Sequence, residues 1–573
     1  ARCARVVLYR GLCYAYGSTA ATVAPRAVAL IRTWLTNDTR ETGRSQRVRE
    51  VSFSALLLAP TLLYPFGRDQ GVFAYVGRLI LRGGAPYADV MEQKGPLLHY
   101  AYALAMGMFG QTEVGVRTFF LLVSTLGALL AAELAERAMG RGARLGAALG
   151  YAAVVAQYHT LGHWHSAQAE DLIALLLLAA LLALTRLPAS RAYSFAAGVC
   201  FGLAILAKST AAIECGCVAL VSLWAAWSPR SGRARRIAEL TCATSLGALI
   251  VIGGALGYLA WRGALDEFLW IQLTHNRAYA QGSVNEPLSI TVYAVRYALL
   301  GLLAVTFAWR MSDPSRRRVL QAIAAAGAGA LLAYVLQQRF FRYHATPVIA
   351  LVGLMVGGVS TAHAARLAAR MSSRHLSRML TWMTPLAVVI VLSQDPAALG
   401  PAFADVLAVT TNQRSLAGVR AERAAGAAER GAYDLLARRI REATGPQDAV
   451  LCWGHELLVN FLADRDTPTR FGADVTLVNP ALPLAIRESY RREFMSALRR
   501  RPPKLVLVFR NDTTPFMQRD SRFILQTGPE LSDFLRTQYS EDRPLHWRGS
   551  IVSDFFYARQ RVTDTSRSAI VGP

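Results

Sequence analysis

The chain has 573 residues, of which 53% are hydrophobic and 17% are charged, and its formal net charge is +24. A soluble chain usually has about 25% charged residues, so this composition indicates a membrane protein. No contiguous basic face with interleaved aromatic residues accompanies the positive charge, which excludes nucleic-acid binding as the reason for it.

The segments predicted to cross a membrane begin at residue 51. Residues 1–50 lack the charged, apolar and small-residue order of a cleavable signal, and are interpreted as a cytoplasmic or interfacial extension. From 51 to 395, apolar runs of roughly 18–25 residues recur and predict about eleven transmembrane helices. The runs are 51–66, 114–135, 143–158, 168–185, 192–207, 210–228, 237–260, 288–309, 319–336, 345–362 and 379–394.

Arginine is concentrated in every second connection between these runs. The Arg-rich connections lie within 40–49, 137–144, 186–191, 230–236, 310–318 and 366–378. Cytoplasmic loops of membrane proteins carry the excess of Lys and Arg, so the alternation predicts a cytoplasmic N-terminus. An odd number of spans then places the C-terminal region on the extracytoplasmic side of the membrane.

The first predicted outer loop begins at Asp69, directly after the first apolar run, and contains Glu92 and Lys94. Between Asp69 and Lys94, apolar side chains recur on one face of a predicted helix, with Arg78 and Arg82 off that face. This pattern is typical of a helix that lies flat on a membrane surface. Such a helix would hold a carboxylate and an ammonium group near the lipid headgroups.

The other predicted outer loops also carry ionisable and aromatic side chains. These are His159, His163, His165, Glu170 and Asp171 in one loop, and Arg342, Tyr343 and His344 in a later one. Ionisable groups at membrane depth are costly and are usually functional. The outer ends of the spans are therefore predicted to form the functional site.

Residues 396–573 are more polar, and helix and strand patterns alternate there. The segments 449–453 and 504–509 are typical of buried strands, and 488–500 and 530–539 are typical of helices. The sequence thus predicts three regions: the extension 1–50, a transmembrane domain over 51–395, and an extracytoplasmic α/β domain over 396–573.

Several motifs resemble those of the GT-C superfamily of membrane glycosyltransferases, in particular the bacterial branch related to protein O-mannosyltransferases and aminoarabinose–lipid A transferases. The first outer loop, DQGVFAYVGRLILRGGAPYADVMEQKGP, is similar to the family's Asp-Gly-aromatic start, its Pro-Tyr-x-Asp element and its lysine before Pro. Further similar stretches are GLAILAKST at 202–210, FFRYHATPVIALVG at 340–353 and DAVLCWGHELLVNFLADRDTPTRF at 448–471.

The resemblance implies a polytopic, GT-C-like α-helical protein of the bacterial cytoplasmic membrane. It implies transfer of a sugar, with inversion, from a polyprenyl-phosphate donor to an acceptor hydroxyl on a lipid, glycan or protein. The implied catalytic residues are Asp69 as the base and Glu170 or Asp171 as a second acid. Lys94, Arg342 and Tyr343 would bind the donor phosphate, and Glu92, His163, His165 and His344 the substrates. No cofactor is certain, and a divalent cation stays open.

Most of these residues also have a structural interpretation. Asp69 stands where a helix N-cap would. Glu170 and Asp171 begin an apolar helix, whose dipole they would complement. Lys94 could reach the interface or pair with Glu92.

The remaining candidates divide in the same way. Arg342 and Tyr343 could anchor a helix end at the interface, and Lys208 could be a turn residue between two close spans. The three histidines at 159–165 could form a metal site with Glu170, or occur in a polar loop without a metal.

Other functional classes also fit a polytopic chain. A transporter or flippase of a lipid-linked or polyanionic substrate should show internal repeats and broken helices, and no convincing repeat is found. A surface-polysaccharide polymerase or ligase would normally centre on one large outer loop. A receptor or scaffold would act through its outer domain.

Overall fold

The computed structural model describes residues 43–559, apart from 159–161, 187–189, 227–232, 281–286, 338, 394, 427–429, 480–481, 513–518, 528 and 548–549. The chain forms two compact units. The first contains the described residues up to Pro86, then Glu92–Ala280, and the later residues up to Gly426. The second contains Tyr87–Met91 and the described residues that follow 429.

The first unit is helical throughout its described residues. Its helices are α1 (Gly43–Leu58), α2 (Arg68–Leu81), α3 (Pro96–Phe109), α4 (Glu113–Met139), α5 (Arg144–Val155), α6 (Gly162–His165), α7 (Ala169–Leu184), α8 (Arg191–Ala207), α9 (Ala211–Ala226), α10 (Arg233–Trp261), α11 (Leu265–Trp270), α12 (Asn276–Ala280), α13 (Pro287–Met311), α14 (Pro314–Leu336), α15 (Thr346–Ala368), α16 (Arg374–Leu392), α17 (Pro396–Thr410) and α18 (Leu416–Gly426). Short 3₁₀ turns cover Ala59–Leu63, Arg141–Ala143 and Arg342–Ala345, and Ile271–His275 is a π-helical turn.

Every predicted span coincides with one of these helices, but the predicted number of about eleven crossings is not confirmed. In the described part of the chain, five helical segments are long and apolar enough to cross a membrane. They are Glu113–Met139, Arg235–Trp261, Pro314–Leu336, Arg342–Ala368 and Arg374–Leu392, with a sixth if Gly43–Leu63 and Arg68–Leu81 form one broken span. Others are short: α5, for example, has 12 residues, whereas a bilayer needs about 20.

The longest spans show why the sequence folds locally as it does. In α4, the Thr112 side chain accepts the Gly115 N–H at 3.1 Å and caps the helix start. The helix ends at Gly140, where φ is +96°, a conformation that glycine adopts without strain. An apolar run bounded by these two residues gives 27 helical residues.

The Arg-rich connections meet one another at one end of the first unit. Arg144 forms ion pairs with Glu50 at 2.7 Å and Glu133 at 2.9 Å, and its side chain is only 6% exposed. The connection after α13 joins the same end, because the Ser312 hydroxyl donates to the Ala138 carbonyl at 2.9 Å. The common position of these loops agrees with the alternation that was seen in the sequence.

Helix α2 lies within the predicted amphipathic segment but does not have the predicted environment. It is bent by 91° from the preceding Gly43–Leu63 segment, as expected for a helix across the end of a span. However, every residue from Gln70 to Arg78 is buried, so α2 does not expose one polar face. Gly77 explains the difference, because a Cβ there would lie 3.0 Å from the Ala103 nitrogen of α3.

Helices α5 and α15 cross with their backbones in direct contact. The crossing is made by Gly146 and Gly150 on α5 and by Gly353 and Gly357 on α15, and a Cβ on any of the four would overlap a carbonyl of the facing helix. Small residues spaced four apart allow such close approach between membrane helices.

We expect Gly353→Ala to destabilise this crossing, because the added methyl group would meet the Gly150 carbonyl oxygen. Overpacking of this kind costs about 1–3 kcal/mol, which should lower the thermal midpoint of the detergent-solubilised protein. Gly253→Ala in α10 is the matched control, since nothing lies within 4 Å of its Cβ position. Equal midpoints for the two variants would contradict this account of the crossing.

The structural division of the chain falls after Gly426, not at the predicted boundary of 396. Helices α17 and α18 belong to the first unit because their apolar side chains pack on the 3₁₀ turn after α1. Leu63, Val406 and Val419 form one buried cluster there. Helix α17 is itself mostly apolar, with Asp405 as its charged residue, so the more polar composition begins after it, and the helical unit continues through α18.

The second unit is built around a four-stranded sheet. Its elements are α19 (Arg430–Ala443), β1 (Val450–Trp453), α20 (Leu457–Ala463), α21 (Val475–Val478), α22 (Leu484–Arg500), β2 (Leu505–Phe509), α23 (Ser521–Thr527), α24 (Pro529–Gln538), β3 (Tyr539–Trp547) and β4 (Ser550–Ala558). The strand order is β1-β2-β4-β3, with β1 and β2 parallel and the other pairs antiparallel. The two strands predicted from the sequence correspond to β1 and β2, and each is buried along its length.

Candidate active site

Lys208 joins three segments at the end of the first unit opposite the Arg-rich connections. It caps the C-terminus of α8, and its ammonium donates to Glu170 Oε1 at 2.6 Å and to the Gln337 side chain. His344 Nε2 lies 3.9 Å from the same Glu170 oxygen. The first turn of α7, the end of α8 and the segment that precedes α15 therefore meet at one buried ion pair.

The first outer loop reaches this ion pair through Gly95. The Gly95 N–H donates to the Ala207 carbonyl at 3.2 Å, and a Cβ on Gly95 would overlap the Leu206 carbonyl. The loop backbone thus lies directly against the end of α8. This contact brings Lys94 close enough to Lys208 for the two charges to interact.

Aromatic rings surround the lysines. The Lys94 ammonium lies 5.2 Å from the centroid of the Tyr343 ring, a distance suited to a cation–π contact. Tyr343 also stacks on Phe341 at 5.6 Å and meets His344 edge-on at 4.5 Å. The His165 ring is 5.9 Å from Tyr343. The rings form an apolar wall beside the cations.

The cluster contains charges of both signs, because Lys208 is close to the buried acids Glu170 and Glu214 and Lys94 is close to Glu92, and it is incompletely hydrogen-bonded. His344 experiences the charges of Lys208, Lys94 and Arg339. Glu170 is 2% exposed and His344 6% exposed; among the described residues, Glu170 Oε2 and His344 Nδ1 have no hydrogen-bond partner. A buried polar atom normally has a partner, so these two atoms are candidates for contact with a polar ligand.

The charge of Lys208 is sensitive to its environment. Burial lowers the Lys208 pKa to about 8, although the neighbouring Glu170 carboxylate acts in the opposite direction. The ammonium is therefore charged at neutral pH but loses its proton within a mildly alkaline range.

Asp69 lies in the first turn of α2 and is half-buried. The Gln168 side-chain amide donates to Asp69 Oδ2 at 3.4 Å. Asp69 does not cap its helix, because the N-cap is Gly67 and its N–H is accepted by Gln70 Oε1 at 3.1 Å. The side chain that caps the start of α2 is therefore Gln70, and the Asp69 carboxylate does not act as a cap.

The two acids at the start of α7 have different surroundings. Asp171 accepts the Gln168 N–H at 2.9 Å and closes a capping box at the helix start. Glu170 points to Lys208 instead. Of the two acids predicted together, Glu170 lies next to the lysines. Asp171 caps the start of the helix whose dipole, in its alternative interpretation, it would complement.

Glu92 contacts a histidine and the backbone of Lys94. Its Oε2 lies 3.2 Å from His99 Nε2 and accepts the Lys94 backbone N–H at 2.6 Å. Burial would raise the Glu92 pKa, but the His99 contact, the Lys94 N–H and the Lys94 charge together hold the pKa below its ordinary value. These contacts shape the loop that presents Lys94.

The next residue of this loop is held by the π-helical turn. Gln93 Nε2 lies 3.1 Å from His275 Nε2, and the Gln93 carbonyl accepts the Gln272 and Asn276 side-chain amides at 3.0 and 3.1 Å. Burial lowers the His275 pKa to about 4, although the Glu92 carboxylate acts in the opposite direction. His275 is therefore neutral at physiological pH, which suits a hydrogen bond rather than an ion pair.

Three further predicted residues have other positions. The Arg342 side chain is exposed, while the buried cation of that segment is Arg339. His163 is buried beside Trp164, and its carbonyl accepts a hydrogen bond from Arg117 at 2.9 Å. His159 lies outside the described residues. Within the described ranges, no group of three or more His, Cys, Asp or Glu side chains could hold a metal ion.

The sequence interpretation missed three residues of this region: Lys208 as the centre of the ion pair, Gln168 beside Asp69, and the buried Arg117. Lys208 could have been found, because it lies in the GLAILAKST stretch at 202–210. Gln168 and Arg117 carry no such signal, since their roles depend on contacts between segments distant in the sequence.

Comparisons with known proteins agree with this fold. The family model for dolichyl-phosphate-mannose-protein mannosyltransferases matches residues 93–258. The crystal structure of ArnT from Cupriavidus metallidurans bound to undecaprenyl phosphate is similar with a TM-score of 0.55 and 14% identity, over 90% of this chain and 98% of that one. The apo state of the same ArnT gives 0.54 and 15%, over 89% and 97%. Curated protein sequences give no significant match.

These matches confirm the resemblance that the motifs indicated. The chain has the fold of the GT-C superfamily of membrane glycosyltransferases. At 14–15% identity the structural likeness concerns the fold alone, and the roles of individual residues are treated separately below.

We expect Lys208→Met to destabilise the protein, because it leaves the Glu170 carboxylate buried without its cation. Removing one partner of a buried pair costs about 3–5 kcal/mol. The combined variant Lys208→Met/Glu170→Leu should recover much of that loss, as thermal unfolding would show.

The exposed pair of Arg191 and Glu239, separated by 3.0 Å, provides the control. Arg191→Gln should change the free energy of unfolding by less than about 1 kcal/mol. A Lys208→Met variant as stable as the wild-type protein would show that the buried pair is not formed.

Proposed function

We propose that this GT-C-type membrane protein is an inverting glycosyltransferase. It transfers a sugar from a polyprenyl-phosphate donor to an acceptor hydroxyl of a lipid, glycan or protein. The reaction takes place on the outer face of a bacterial cytoplasmic membrane, on the side of the cluster around Lys208.

In the proposed reaction, the acceptor oxygen bonds to the anomeric carbon of the donor sugar as the bond from that carbon to the phosphate oxygen breaks. Asp69 takes the proton of the acceptor hydroxyl. The departing group is polyprenyl phosphate, whose negative charge Lys94 and Lys208 stabilise, with Tyr343 beside them. Lipid phosphate leaves readily, so no acid needs to protonate it.

One observation carries this proposal: two lysines share a buried cluster in which Glu170 Oε2 and His344 Nδ1 have no hydrogen-bond partner among the described residues. Lys94 is held over Tyr343, and Lys208 is held by Glu170 and Gln337. Fixed cations in a site with little water bind a phosphate strongly. Gln168 then links this cluster to Asp69, because it directly precedes the turn that carries Glu170.

The comparison proteins support the same substrate class. The matching family model is named for dolichyl-phosphate-mannose-dependent enzymes, and the similar ArnT structure contains undecaprenyl phosphate. Both are lipid phosphates of the polyprenyl type. A transporter or flippase could bind the same lipid, but it would release the sugar unchanged on the opposite side of the membrane.

We expect Asp69→Asn to reduce sugar transfer by about 10²–10⁴-fold, because the amide cannot accept the hydroxyl proton. Donor binding should persist, since the lysines are unchanged. Purified protein with a radiolabelled polyprenyl-phosphate sugar would give both quantities. The control is Asp313→Asn, an acid that is 81% exposed and lies among the Arg-rich connections. Full transfer by Asp69→Asn would exclude Asp69 as the base.

The affinity for the donor should fall as pH rises through about 8. The Lys208 pKa is lowered to about 8 by burial, so the ammonium is present below that pH and is lost above it. The KM for the donor should rise by up to about tenfold for each further pH unit, as one cation is titrated away. In Lys208→Arg the guanidinium stays charged, so the rise should disappear. A wild-type rise that persists in Lys208→Arg would show that another group titrates.

A further inference from the structure

Arg117 of α4 is the largest of the fully buried side chains in the described part of the chain, and all its hydrogen-bond donors are used. Nε donates to the Tyr64 carbonyl at 3.3 Å, and Nη2 to the Pro65 carbonyl at 2.7 Å and the His163 carbonyl at 2.9 Å. Nη1 donates to Ser166 O at 3.1 Å and to Ser166 Oγ at 2.8 Å. A guanidinium has five N–H donors, and each has an acceptor here.

The acceptors belong to two segments that end in the proposed site. Tyr64 and Pro65 lie directly before α2, which carries Asp69 in its first turn. His163 and Ser166 lie directly before α7, which carries Glu170 in its first turn. One planar group therefore fixes the separation of the two segments that present these acids.

Glu113 supports the same arrangement from one turn earlier in α4. Its Oε1 accepts the Phe66 N–H at 2.7 Å, and its Oε2 pairs with Arg420 of α18 at 3.1 Å. Arg420 in turn donates to the Tyr64 carbonyl at 3.2 Å. The segment before α2 is thus held by two side chains of one helix and by α18.

None of these contacts involves the lysines of the site. Lys94 is placed by Gly95 and the end of α8, and Lys208 by Glu170 and Gln337. Of the groups that place the lysines, only Glu170 follows a segment that Arg117 contacts, whereas Gly95, the end of α8 and Gln337 belong to other segments. A change at Arg117 should therefore alter the position of Asp69 relative to the donor more than it alters the phosphate contacts.

We propose that Arg117 is a positioning residue, which sets the distance between the Asp69 carboxylate and the donor that the cluster around Lys208 holds. This inference rests on the proposed function. A misplacement of about 1 Å in a catalytic group can reduce the rate by about 10²-fold, so the guanidinium affects turnover without touching the substrates.

The test compares Arg117→Lys with the wild-type protein in steady-state sugar transfer. Lysine keeps the charge but has a single ammonium group, which cannot reach five acceptors in a plane. We expect kcat to fall by about 10²-fold, while the KM for the polyprenyl-phosphate donor changes by less than about threefold. The matched control is Arg144→Lys, another buried arginine with several partners, at the opposite end of the unit. It should lose thermal stability but retain kcat.

A milder variant covers the case in which Arg117→Lys does not fold. Ser166→Ala removes one of the five acceptors and keeps the arginine, so we expect kcat to fall by about three- to tenfold with an unchanged donor KM. Either variant with a wild-type kcat would overturn the positioning role, as would a loss of donor affinity equal to the loss of rate. A wild-type protein that transfers no sugar would overturn the proposed function and this inference together, whereas the other outcomes affect Arg117 alone.

Discussion

Charged groups that leave water need a compensating partner, and this requirement decides which segments meet at the site. The Glu170 carboxylate is almost fully buried and is compensated by the Lys208 ammonium at 2.6 Å. Those two residues are 38 positions apart, so their contact joins α7 to the end of α8. Gln337 on the same ammonium adds the end of α14. Further charges of both signs lie around this pair, with Lys94 and Arg339 as cations and Glu214 as an acid, and the proposed phosphate site uses the two lysines.

The same requirement is met in a different way at the Arg-rich end. There, Arg144 has several carboxylate partners, and Glu50 is fully buried against it. Three carboxylates, those of Glu50, Glu133 and Glu136, contact this one guanidinium, and Arg137 and Arg141 pair with the same acids. At the site end, Lys94, Lys208 and Arg339 act on one histidine. There, Glu170 Oε2 and His344 Nδ1 have no hydrogen-bond partner among the described residues.

The apolar runs predicted the positions of the helices well. A helix that faces lipid and a helix that is buried in protein both need apolar side chains. The number of crossings stays a prediction, since α5 and other short helices are as apolar as the long ones. The structural division falls after Gly426 rather than at 396, because the apolar helix α17 and the more polar α18 both pack on Leu63. Asp69, Lys94 and Tyr343 were recognised from local motifs. Arg117 and Gln168 were not, because their contacts span 46 or more positions in the chain.

The right-angle turn between α1 and α2 has a consequence for the lipid environment. The Asp69 carboxylate sits where α1 and its 3₁₀ extension end, so its height in the bilayer follows from the apolar length of that segment. Helix α2 is enclosed by the unit and cannot slide along the membrane normal independently. A bilayer whose hydrocarbon thickness differs from that length must deform, or the helix must tilt. The height of the proposed base is therefore matched to one membrane thickness, and acyl-chain length becomes a physical variable of the proposed transfer reaction.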